Sequence, residues 1–423
     1  MAILKFIVLC LLTLINTRVL ASNTTSRALG LADIPPCGVQ CMFIAIPTSG
    51  CLLNDVSCIC NSDNLTRAMS ACLLDNCTMA DTQSTARVQA DFCNLSEKSK
   101  RTEMFLYSSI MYAIGLITVT LRIAGKLVSK RLAWDDWILV AALLFTTVPL
   151  GCVFAMTKIG FGEHVWNLED DMLLPILRYF HIAWSTYILV LTLIKISLVI
   201  FYLEIFDSPR FKITAYIVLI YIVITSLVSF LITIFVCKPV SFYWNRDIQG
   251  TCMDPQVIAY ACSACAILQD LILLILPLVF IRNLQMRRYK KIGAVVMFSI
   301  GSLGCIATII RLHTLTTFRI SIDPTWDYVS ATIWTEVELA AGSICVSLPS
   351  IRVLVANTLP DSVKNFFANI SDSITKWSKP RPTKEGIPTF WQQGGKTPPN
   401  WTLMSAANDN RDVSSSKTSF MAH

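Results

Sequence analysis

Charge is what this sequence has least of. Asp, Glu, Lys and Arg make up 15% of the 423 residues, against about 25% in ordinary soluble chains, and the mean hydropathy is +0.58. A typical soluble domain is excluded. Histidine is scarcer still, with four copies in the chain; none has metal-ligand spacing, and no Gly-rich phosphate loop or nucleophile–base arrangement accompanies them. An enzyme is therefore not expected. The formal charge of +7 is spread along short loops rather than gathered in one domain, which argues against nucleic acid as a partner. The clearest uncharged stretch, ITAYIVLIYIVITSLVSFLITIFV at 213–236, runs for 24 residues, more than the ~20 a helix needs to cross a bilayer.

The opening residues, MAILKFIVLCLLTLINTRVLA, combine Lys5, an apolar run from Phe6 to Ile15 and a small-residue end at Ala21. This is the layout of a secretory signal peptide over 1–21, with an apolar core too short to span. Residues 22–99 are then expected outside the cell, and four glycosylation sequons, at Asn23, Asn64, Asn76 and Asn94, agree with export. Eight of the 16 cysteines fall in this segment: Cys37, Cys41, Cys51, Cys58, Cys60, Cys72, Cys77 and Cys93. An even count in a short exported segment argues for four disulfides, although eight cysteines leave 105 pairings open. Zinc is the weaker reading, because the segment has no histidine and the compartment is oxidising. Asp55 stands within CLLNDVSCIC, where an ordinary role is to cap a helix beginning near Val56.

The ordered fragments PPCGVQC, SGCLLNDVSCIC, ACLLDNC and the final Cys93 resemble the CFEM domain of fungal extracellular membrane proteins, at all eight cysteine positions. The resemblance implies a small helical fold tied by four disulfides. In haem-binding members it also implies an axial iron ligand at the aspartate three residues before the fourth cysteine, which is Asp55 here. A carboxylate is a hard anionic donor that favours ferric iron, and Leu52, Leu53 and Val56 are placed to meet the macrocycle. Capping and haem ligation are compatible readings of one side chain.

From Met104 onward seven apolar runs of spanning length are expected, near 104–125, 137–157, 176–202, 213–236, 257–281, 292–312 and 328–351. Eleven basic residues, Arg122 and Lys126 among them, fall at one set of run ends, and six, including Arg311, at the other. The positive-inside rule puts the richer set in the cytoplasm and the N-terminus outside. Cys237 and Cys252 share an outer loop, where a disulfide is expected, while Cys152, Cys262, Cys265, Cys305 and Cys345 sit in apolar runs as packing residues. Trp134-Asp135-Asp136, GFGEH at 160–164, KISLVIFYLEIF from Lys195, the CKP and Trp244 of the bridged loop, DLILLILP from Asp270, and the segment from DPTW at 323 through Glu338 to LP at 348 carry a second resemblance. Together they are similar to the fungal rhodopsin-like seven-helix family, the appressorium-sensing type of receptor. That implies surface sensing of an unknown extracellular ligand and coupling to a heterotrimeric G protein. Retinal is not expected, because the seventh run has no lysine to form its Schiff base. Asp-Arg-Tyr and Asn-Pro-x-x-Tyr elements of animal receptors are also missing from the third and seventh runs.

Lys195, Asp270, Glu336 and Glu338 lie inside apolar runs, where an unpaired charge costs about 2.5 to 3.5 kcal/mol. Lys195 and Asp270 are at matching depths, roughly 22 and 20 Å at 1.5 Å per residue, so a bridge between them is expected, with Glu338 lining a polar pocket nearby. Fastening of helices is the plainer role for such groups. After Pro360, DSVKNFFANISDSITKW shows helical amphipathic spacing and reads as a helix along the inner membrane face, followed by a polar tail. The sequence thus predicts an all-α membrane protein: signal peptide 1–21, extracellular CFEM domain 22–99, seven-transmembrane helix bundle 100–353, and cytoplasmic tail 354–423. The expected function is that of a plasma-membrane receptor. A membrane-tethered haem-acquisition protein and a proton-linked transporter are the alternatives; against the transporter stands the lack of an internal repeat or Gly/Pro-broken half-helices.

Overall fold

The computed structural model describes residues 33–51, 55–130, 132–282, 288–317 and 323–358. The signal peptide, Asn23, Leu52, Leu53 and the amphipathic tail segment lie outside the described residues.

The head is built from four helices: α1 (Pro36–Ser49), α2 (Val56–Asn61), α3 (Asp63–Asn76) and α4 (Met79–Cys93). Each of the last three starts at a polar side chain that accepts a backbone N–H: Asp55 from Cys58, Ser62 from Leu65 and Thr78 from Asp81. α1 instead has Pro36 at its first position and ends at Gly50 in the left-handed region, φ 78°. The apolar core of the head is small, centred on Cys41, Ala45, Ile46, Leu65, Met69 and Leu73. Four disulfides supplement it, Cys37–Cys77, Cys41–Cys72, Cys51–Cys58 and Cys60–Cys93. Cross-links of this kind typically stabilise by about 2 to 4 kcal/mol each.

The remaining helices are α5 (Arg101–Val128), α6 (Trp134–Lys158), α7 (Leu173–Ile205), α8 (Pro209–Ile234), α9 (Pro255–Arg282), α10 (Arg288–Thr317) and α11 (Pro324–Thr358). Consecutive helices pack side by side and α11 returns to α5, closing a ring in which α7 also touches α11. By length and composition six of them can cross a membrane. The sequence predicts a seventh span near 292–312; in α10 the apolar stretch among the described residues is the shorter Phe298–Thr314. The apolar exterior fits a lipid environment, with Ile213, Ile217, Ile220, Ile224 and Leu227 all exposed along α8. Small residues let helices approach closely: a Cβ at Gly125 of α5 would come within 2.5 Å of the Ser350 carbonyl oxygen of α11. The two-stranded ribbon β1 (Cys237–Lys238) and β2 (Thr251–Cys252) closes the α8–α9 loop, and Cys237 and Cys252 are bridged across it.

Candidate functional site

Asp55 is exposed, and its Oδ1 accepts the Cys58 N–H at 3.0 Å, which opens α2. Asn64, Asn76 and Asn94 are exposed on the head. The head does not hang free of the bundle. On α4, Gln83 is buried and its Nε2 donates to the carbonyls of Val165, Leu168 and Glu169 at 3.4, 3.1 and 3.3 Å. Arg87 pairs with Asp170 at 2.6 Å and donates to the Leu168 carbonyl. Met79 donates its N–H to Asp247 of the bridged loop at 3.0 Å. An amide with three carbonyls around it fixes the loop between α6 and α7 against the head.

That loop is anchored equally firmly to the bundle. The GFGEH stretch turns through Gly160 and Gly162, at φ 120° and 98°, a region that disfavours side chains. It lets Lys100 donate to the Gly162 carbonyl at 2.7 Å and Gly162 donate to the Thr325 carbonyl at 3.0 Å. Arg101 holds Glu163 at 2.9 Å and caps the end of α6 through the Thr157 and Lys158 carbonyls. His164 Nδ1 is 2.5 Å from Asp323 Oδ2, and its ring stacks between Trp166 and Trp326. Burial raises the Asp323 carboxyl above its usual range, while the hydrogen bond and charge of His164 act in the opposite sense. Burial also lowers the pKa of Lys100, whose ammonium lies 3.8 Å from the Trp326 ring centre. The GFGEH and DPTW motifs, 159 residues apart at His164 and Asp323, thus form one structure beneath the head.

Deeper in the bundle the ionisable groups pair in layers. Lys195 Nζ lies 2.7 Å from Asp270 Oδ1 and 3.1 Å from Gln269 Oε1. Glu338 lies nearby with polar partners of its own: Tyr187 donates its hydroxyl to Glu338 Oε2 at 2.5 Å, and Arg311 approaches the same oxygen at 4.0 Å. Arg311, counted from sequence among loop residues, is 3% exposed within α10 and faces the rings of Trp184 and Tyr187. Glu336 lines a cleft of the bundle.

At the end remote from the head, Arg122 is also no loop residue. It is fully buried, bonded to Asp135, to Asp136 at 2.8 Å and to the Val346 carbonyl. Lys126 adds contacts of 3.3 Å to Asp136 and 3.5 Å to Glu204. The Trp134-Asp135-Asp136 motif therefore ties α6 to α5, with α11 and α7 as further partners. Reassigning Arg122 and Arg311 leaves ten basic residues against five at the two sets of run ends. Arg311 was detectable, since it falls inside the expected 292–312 run. Gln83 carried no signal, because an uncharged amide in an amphipathic helix looks like any surface residue.

Comparison with known proteins agrees with this construction. The CFEM domain family matches residues 30–94 and the family described as fungal rhodopsin domain matches residues 121–357. A SAT4 family membrane protein of Emericella nidulans is 26% identical over 53% of this chain and 56% of its own length, so the chain spans little more than half of that relative. Wortmanamides biosynthesis cluster protein C of Talaromyces wortmannii is 23% identical over 67% of this chain and 77% of its own length. Receptor GIN3 of Arthrobotrys oligospora is 24% identical over 58% of this chain and 60% of its own length. No solved structure matches. With more than half of its length matched and a CFEM head before the helices, the chain is a multi-pass membrane protein belonging to the fungal rhodopsin domain family.

Proposed function

We propose that this chain is a receptor-like protein of the plasma membrane, with its CFEM head outside the cell, its C-terminus in the cytoplasm, and a bundle whose state follows events at the head. The observation that carries the reading is the Gln83 side chain, buried at the junction and bonded to three carbonyls of the α6–α7 loop. That loop continues through His164–Asp323 and Arg101–Glu163 into α5, α6 and α11. A contiguous set of hydrogen bonds and ion pairs is the physical requirement for linking two sites. Receptor GIN3 is a relative whose description is consistent with this reading. The test uses a strain carrying only this chain and follows its transcriptional response to contact with a solid surface. Gln83→Ala with Arg87→Ala should abolish the response while leaving surface abundance intact; an unchanged response sinks the reading.

Haem at the head is a separable part of the proposal. The residues present fit it: Asp55 is an exposed carboxylate with Oδ1 engaged in the cap, and the adjacent Val56 is 48% exposed. Asp55 would hold the iron through its carboxylate, and haem when bound supplies ferric–ferrous redox chemistry. Asp55→Asn separates the two roles, since Asn caps helices about as well as Asp but lacks the anionic donor. Haem titration of the full chain should show the Soret band altered in Asp55→Asn with thermal stability retained.

A further inference from the structure

The bundle contains an open-mouthed cleft between α5, α6, α7 and α11. Its wall is mostly apolar and aromatic, with Tyr112, Phe180, Trp184 and Tyr187 contributing rings. Glu336 lines it, and the Oε2 of that carboxyl is sealed from solvent with no hydrogen-bond partner. Beside it in the lining, the buried Ser108 hydroxyl is the polar side chain that faces this carboxyl.

The other buried acids of the spanning helices all have basic partners. Asp135 and Asp136 hold Arg122, Asp270 holds Lys195, and Glu338 faces Arg311. Among the described residues no basic group lies within 4.0 Å of Glu336. A carboxyl group kept in an apolar cleft without a basic partner is a place where a ligand's cation would find a counter-charge. Aromatic faces are the other component that recognises a cation in a dry setting. Gly115 adds an independent observation: it is buried in the wall, and a Cβ built there meets nothing within 4 Å. Space that a larger side chain could occupy has been left open.

We propose that this cleft binds a small organic monoammonium ion with an apolar body, the ammonium on Glu336 and the body against Trp184 and Tyr187. The assignment rests on the receptor reading only for its consequence, since binding itself is measurable without any cellular response. The probe is 2-phenylethylamine, titrated onto the full chain in lipid nanodiscs by calorimetry, with 2-phenylethanol as the uncharged control. The amine should bind saturably and at least about tenfold more tightly than the alcohol, a preference that Glu336→Gln removes. Gly115→Leu, which enters open space and suits a helix, should fold normally and block the amine. Equal binding of amine and alcohol identifies an apolar lipid-filled cleft and overturns the proposal, as does an unaltered amine affinity in either variant. No saturable binding at all also overturns it while leaving standing the receptor reading, which is tested separately by the response to surface contact.

Discussion

The fate of single side chains here is decided by what compensates their charge. Arg122 has no solvent contact and bridges two adjacent carboxylates, so its removal leaves two buried anions with only Lys126 beside them, at 3.3 to 3.5 Å. Breaking a buried pair of this kind typically costs about 3 to 5 kcal/mol. Arg122→Ala should lower stability by that order in a detergent unfolding titration. Arg122→Lys should recover only part, because an ammonium cannot reproduce the planar two-sided fork. Asp323 behaves differently. Its folded pKa lies above the ordinary 3.8, so the folded state retains a proton that the unfolded state has released. The stabilisation from this group is complete below about pH 3.8 and is lost as pH rises through the raised value. Relative to Asp323→Asn, which does not titrate, the wild-type melting temperature should therefore fall as pH rises above about 3.8; a difference that stays constant over that rise contradicts the assignment.

At the level of elements, helix–helix spacing is set by the residues without side chains. Gly125 sits where α5 crosses α11, and any Cβ there collides with backbone rather than with a movable side chain. Gly125→Ala should separate the two helices and cost about 1 to 3 kcal/mol, read as a lowered unfolding midpoint. The apolar runs located these helices well, yet consistently short. The run expected at 104–125 is the interior of Arg101–Val128, and that at 328–351 the interior of Pro324–Thr358. Hydropathy stops at charges near the helix ends, whereas the backbone ladder continues through them because Arg101 and Lys126 find acids or carbonyls nearby. For the same reason Arg122 and Arg311 looked like loop residues: composition cannot distinguish a paired cation from a solvated one. The Lys195–Asp270 contact was legible because depth is a one-dimensional property of each run. The partner of Glu338 depends on rotation about the helix axis, and a residue count does not supply that.

For the whole molecule, the head, the α6–α7 loop, the bridged α8–α9 loop and the start of α11 gather at one end of the bundle. If that end is exported, Asn64, Asn76 and Asn94 all lie in reach of glycan transfer. Digestion with an N-glycosidase should increase the electrophoretic mobility of the wild-type chain, and the variant with all three changed to Gln should lose most of that shift. The head also has three separate points of attachment: the chain itself through 94–100, the clasp of Gln83 and Arg87 on the α6–α7 loop, and the Met79 bond to Asp247 of the bridged loop. A body fastened at three points cannot swivel like a bead on a string. A displacement of the head is therefore passed to the bundle at several places together: the start of α5, the α6–α7 turn and the bridged α8–α9 turn.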